Sequence, residues 1–195
     1  MSEFSLYFGI GKDHILDYIN GYDHILFVLS LCAIYLLRDW KRILILITAF
    51  TIGHSITLAL ATLQLISINT EIIEFLIPLT IFITSFANLF RKERNIDQGG
   101  VDINYVFALF FGLIHGLGFS GFLRALLGKE SNILSPLLAF NLGLELGQII
   151  VVIVFLAIGF ILVDLMKISR RDLRLVLSSA IAGIALVLLK DRIFW

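Results

Sequence analysis

Four histidines and a few carboxylates stand out in a chain that is otherwise strongly apolar. Asp23 and His24 are adjacent, while His54, His115 and Glu145 each lie inside a long hydrophobic run. An ionised acid at the centre of a membrane helix costs about 2.5–3.5 kcal/mol on the insertion scale. Asp23 and Glu145 therefore need partners, and the nearest supply is the histidines or a cation held among them. Imidazole matches zinc, nickel, copper and iron, and a carboxylate either completes the shell or orients an imidazole. The metal set expected from residue type is His24, His54, His115, Glu145 and Asp23. His14, the fourth histidine, is a further candidate, expected at the outer surface near the first helix. No His-Glu-x-x-His signature is present, so the expectation rests on burial and number.

Polar neighbours read as supporting groups. Asn141, Glu145 and Gln148 fall at i, i+4 and i+7, on one face of a helix, and Gly143 and Gly147 leave room beside it. Ser55 follows His54, with Thr51 one turn earlier. The glycine-rich run Gly-Leu-Ile-His-Gly-Leu-Gly-Phe-Ser-Gly (112–121) permits close helix contact or backbone approach to a ligand.

The elements that must position these groups follow from composition. Of 195 residues, 59% are hydrophobic and 15% charged, and the mean hydropathy is +0.99. A soluble domain carries about a quarter charged residues, so this chain expects lipid as its solvent. Zero net charge argues against a nucleic-acid partner. The single cysteine, Cys32, excludes a disulfide framework and reads as packing. Met1 to Ile10 lacks the basic start of a cleavable signal peptide. With two prolines and no Ser/Gly-rich linker, one transmembrane domain is expected over 1–195.

Crossing the ~30 Å hydrocarbon core takes ~20 residues of helix. Six segments qualify: from Ile15 or Tyr22 to Leu37, then Ile43–Leu63, Ile72–Phe90, Val106–Leu127, Pro136–Val163 and Leu173–Leu189. The expected fold is an all-α polytopic membrane protein, a bundle of about six transmembrane helices. Ser135-Pro136 reads as an N-cap with proline at the first helical position. Arg38, Lys41 and Arg42 mark the first link, Arg91, Lys92 and Arg94 the third, and Lys167, Arg170, Arg171 and Arg174 the fifth. The second link has no Lys or Arg, and the fourth, with Lys129 near Arg124, is a mild exception. Positive charge favours the cytoplasm, which puts both termini outside, in the cell (inner) membrane. Trp40 and Trp195 suit the interface.

Gly112-x-x-x-Gly116 and Ser179-x-x-x-Gly183 are expected at helix contacts. Pro78 should kink the third segment and free a carbonyl, and the stripe Thr80, Thr84, Asn88 must face protein. At 1.5 Å per residue His54 lies about 17 Å into its helix, and His115 and Glu145 each about 14 Å into theirs, so they can share one cavity.

Four blocks carry a resemblance: Tyr-Asp-His-Ile-Leu-Phe (22–27), Phe-Thr-Ile-Gly-His-Ser-Ile-Thr-Leu (50–58), Gly-Leu-Ile-His-Gly-Leu-Gly-Phe-Ser (112–120) and Phe-Asn-Leu-Gly-Leu-Glu-Leu-Gly-Gln (140–148). In order and spacing they resemble the HupE/UreJ family. The resemblance implies a small multi-helix membrane protein, a hydrogenase or urease accessory thought to act as a nickel permease, with metalloenzyme-maturation partners. It carries His14, Asp23, His24, His54, His115 and Glu145 over as site positions. One spacing departs: related nickel permeases place a histidine a few residues before Asp-His, whereas His14 precedes Asp23 by a longer interval.

Two functions compete. The first is a permease for nickel or cobalt, whose site must bind well enough to dehydrate the ion and weakly enough to release it. The second is an intramembrane zinc hydrolase, with three histidines holding zinc and Asp23 or Glu145 as general base. A proton relay or sensor ranks third.

Overall fold

Apolar runs of twenty residues and more have one way to satisfy their backbone in lipid, and they take it as helices. The structure, a computed structural model, describes residues 2–19, 21–91, 103–127 and 133–195. Among them are seven α-helices: α1 (Glu3–Leu16), α2 (Tyr22–Cys32), α3 (Trp40–Thr62), α4 (Thr70–Leu89), α5 (Ile103–Leu127), α6 (Leu134–Phe160) and α7 (Arg170–Asp191). A 3-10 turn, Leu37–Asp39, leads into α3, and a π turn, Ile161–Leu165, extends α6. Lys92, Arg94 and Lys129, which entered the charge pattern of the links, lie outside the described residues.

Five helices, α3 to α7, are long and apolar enough to cross a membrane. They match the second to sixth expected segments. The first differs. Instead of one helix from Ile15 or Tyr22 to Leu37, the chain forms two short ones separated at 17–21. Ser2 caps α1 through its side chain, and α1 ends where the Asp17 amide bonds the Asp13 carbonyl. At 1.5 Å per residue α1 is about 21 Å long and α2 about 17 Å, so neither spans the hydrocarbon alone. They act together. Gly11 packs on Phe140 and Leu144, Gly143 on Phe8 and Lys12, and Gly147 on Ile15; α1 therefore runs parallel to α6. Ile25 and Leu29 of α2 then share an apolar groove with Ile150, Val154 and Phe155 further along α6. α1 and α2 thus follow one another along α6.

The other expected packing features divide. Gly112 and Gly116 pack on the backbone of α3, whereas Gly183 faces open space and makes no close helix contact. Pro78 lies within α4. Its missing N–H leaves the Glu74 carbonyl without a helical donor, and the Arg192 guanidinium donates to that oxygen at 3.3 Å. This places the end of α7 beside the start of α4, so those helices are antiparallel. α6 begins at Leu134 without a side-chain cap, so Ser135 is not its N-cap. Pro136 still falls in the first turn, where the N–H it lacks would have no partner in any case.

The interior is aromatic and branched-aliphatic. Phe27, Ile47, Phe50, Phe111 and Phe155 join one cluster, and Tyr7, Ile15, Phe140 and Leu144 another. Cys32 is fully buried in the first. Ile45, Ile52 and Ile56 of α3, Phe110 of α5 and Ile153 of α6 point outward, as lipid-facing positions should.

Candidate metal centre

The break between α1 and α2 delivers two histidines to one place. His14 ends α1 and His24 begins α2, and their rings stand 4.4 Å apart, edge to face. The His24 ring lies 5.4 Å from that of His115 and 6.5 Å from that of His54. His24, His54 and His115 are 6%, 0% and 1% exposed. His14 is thus not a surface residue as expected: it packs on Phe119 at 4.0 Å and faces the other histidines. Nine-residue separation from Asp23 is absorbed by the turn at 17–21, where the Gly21 amide bonds the Asp17 carbonyl at 3.0 Å. Gly21 lies so near the His14 backbone that a Cβ there would come within 2.8 Å of its carbonyl oxygen.

Hydrogen bonds set which nitrogens are free. Asp23 accepts from the His24 backbone N–H at 2.9 Å, and its carboxylate is 3.0 Å from His24 Nδ1. With Nδ1–H directed at a carboxylate, Nε2 carries the lone pair, and Nε2 is buried without a partner. His115 Nε2 is 3.2 Å from Thr80 Oγ1, while that hydroxyl donates to the Ile77 carbonyl at 2.7 Å. The hydroxyl proton being committed, Thr80 accepts from Nε2–H and leaves the lone pair on Nδ1, again buried and unpartnered. His14 Nε2 and both nitrogens of His54 are likewise buried without partners. Buried polar atoms are rarely left so, and here five belong to imidazoles of one cluster. Among the described residues no three His, Cys, Asp or Glu side chains are arranged as a ready metal-holding group. The rings are neighbours, not a closed shell.

Phe27, Phe50, Phe119 and Phe140 wall the cluster, with Phe27 4.8 Å and Phe50 5.2 Å from His115. A cavity of about 740 Å³ opens above it, reaching His14, Asp23, His24 and His115, with Asp13, Asp17, Glu74 and Arg192 also on its lining. His54 lies behind those residues, off the cavity surface.

Glu145 is not brought to the histidines. Its carboxylate accepts from the Thr48 hydroxyl at 2.7 Å, on the seam where α6 meets α3. Of the supporting residues, Gln148 shares that seam, whereas Ser55 and Asn141 bond only within their own helices. Gln148 Oε1 accepts from Thr51 at 2.9 Å, Ser55 donates to the Thr51 carbonyl, and Asn141 donates to the Leu137 carbonyl. In the sequence Thr80 reads only as part of a protein-facing stripe, and nothing there points to its contact with His115.

Five long apolar helices, packed with a cluster of imidazoles under an acid-lined cavity, mark a multi-pass membrane protein. The chain belongs to the HupE / UreJ protein family, whose model matches residues 1–192. No curated protein and no solved structure gave a match.

Proposed function

We propose that this protein is a permease for a divalent transition metal, nickel or cobalt, and that His14, His24, His54 and His115 hold the ion in transit with Asp23 orienting His24. The observation that carries the reading is the set of unpartnered imidazole nitrogens in one cluster of rings beneath a cavity bearing Asp13, Asp17, Asp23 and Glu74. Carboxylates at the mouth raise the local concentration of cations, and imidazoles below select borderline-soft metals over magnesium and calcium. Donors that are close but not closed into a shell fit a carrier, which must release what it binds. Membership of the HupE / UreJ family supports the same reading, including the association with hydrogenase or urease maturation.

Orientation follows from charge. Lys41 and Arg42 stand at the start of α3, and Lys167, Arg170 and Arg171 flank the start of α7, so those ends face the cytoplasm and the cavity opens outside, with both termini. The hydrolase alternative has less support, because Glu145 bonds Thr48 on the α3–α6 seam and Asp23 is spent on orienting His24.

Uptake of Ni²⁺ or Co²⁺ into liposomes holding the purified protein tests the proposal. Metal entry that is abolished in His24→Ala and His115→Ala supports it. Stoichiometric metal binding with no entry at any imposed gradient would sink transport.

A further inference from the structure

Two helix crossings in this bundle share one geometry. A Cβ at Gly11 would fall on the Phe140 carbonyl and 3.1 Å from the Leu144 amide; one at Gly143 would fall on the Phe8 carbonyl and 3.0 Å from the Lys12 amide. At Gly53 it would fall on the Leu109 carbonyl and 3.0 Å from the Leu113 amide; at Gly112, on the Phe50 carbonyl and 3.0 Å from the His54 amide. Each glycine meets the carbonyl three residues before its partner glycine and the amide one residue after it. The match continues one turn on: Gly147 lies against the carbonyl of Lys12, which follows Gly11, and Gly116 against that of His54, which follows Gly53.

Within each pair, α1 with α6 and α3 with α5, the contacts advance together, so the helices are parallel. Between the pairs the direction reverses. α3, α4, α5 and α6 are successive spans, each reversing the one before, so α6 opposes α3. Two like-built pairs of opposite orientation are the arrangement on which alternating access is built in inverted-repeat carriers.

The histidines divide across this boundary. His14 belongs to α1, with Asp23 and His24 on its continuation α2, whereas His54 and His115 belong to α3 and α5. Inside each pair backbone meets backbone with no side chain between, a contact that yields little. The α3–α6 seam is instead joined by Thr48 to Glu145 and Thr51 to Gln148, hydrogen bonds that can be broken and remade.

We infer that the α1–α6 and α3–α5 pairs move as two bodies, that Thr48–Glu145 and Thr51–Gln148 latch them, and that opening the latch divides the histidine site two and two. Separation lowers the number of imidazoles an ion can reach and so releases it. This inference rests on the transport reading.

Pulsed EPR in nanodiscs tests it, with spin labels on exposed positions in a Cys32→Ala background. Phe110→Cys with Ile153→Cys reports across the pairs, and Phe110→Cys with Ile45→Cys reports within one. The across-pair labels should show two distances whose ratio shifts with Ni²⁺, while the within-pair labels keep one. Gln148→Leu removes a latch bond and should raise the open population about five-fold; Thr51→Val removes the same bond from the other side should Gln148→Leu fail to fold. A single across-pair distance in every condition, or a within-pair distance that changes as much, overturns the inference. Ni²⁺ uptake by the unlabelled protein separates the two readings: uptake with one fixed distance sinks the two-body motion alone, and two distances without uptake sink transport alone.

Discussion

The Asp23 carboxylate holds His24 at both its backbone N–H and its Nδ1, at 2.9 and 3.0 Å. One side chain thereby braces the first turn of α2 and turns His24 Nε2 away from itself, beside the other imidazoles. An acid in a first helical turn is favoured by the dipole, so the same placement serves helix and site.

Asp23→Asn should weaken Ni²⁺ binding by roughly 10–100-fold, the usual effect of losing a carboxylate behind an imidazole ligand. Isothermal titration of the purified protein checks it. An unchanged affinity would show that Asp23 does not orient His24.

Thr80→Val removes the acceptor of His115 Nε2–H in a site walled by Phe27 and Phe50. An unsatisfied buried donor costs about 1–3 kcal/mol, so thermal stability should fall and Ni²⁺ affinity with it. Thr80→Ser keeps the hydroxyl and should restore both. Scanning calorimetry beside metal titration reads the pair of variants.

Gly112→Val places its side chain on the Phe50 carbonyl, and no movement of a flexible group can relieve a clash with backbone. The folded yield should collapse. Gly159→Ala, where nothing lies within 4 Å, should leave it unchanged. Size-exclusion profiles of the fluorescently tagged variants distinguish these outcomes.

Gly21→Val would bring a Cβ within 2.8 Å of the His14 carbonyl and 3.2 Å of that of Asp17. The turn must shift, carrying His14 from His24, so Ni²⁺ affinity should drop several-fold while α3 to α7 keep their helicity. Circular dichroism with metal titration tests this; an intact affinity would mean that the turn does not position His14.

The long helices were legible because a run of apolar residues has no other stable form in lipid. So were His24, His54 and His115 as a group, since burial of three imidazoles in apolar segments demands a shared purpose. What the residues alone did not reveal was the interruption at 17–21. Asp17 and Gly21 are turn-forming residues, but within an otherwise apolar stretch they read only as a blurred helix start; in the structure the Asp17 carboxylate accepts from the Ile19 amide and ends the helix locally. That break is why His14 faces inward and why its longer interval from Asp23 still closes on His24. Depth and the resemblance both group Glu145 with the histidines, and neither tells which face of a helix meets which neighbour. Its face meets Thr48, and its role passes from the histidines to the seam.

The central claim is that four imidazoles share one transition-metal ion. Anomalous scattering from crystals of the protein loaded with Ni²⁺, collected at the nickel edge, tests it most directly. A single peak is expected among His14, His24, His54 and His115, bonded through His24 Nε2 and His115 Nδ1. A peak elsewhere, at Glu145 or among Asp13, Asp17 and Glu74 alone, or no peak at all in saturated crystals, would contradict it.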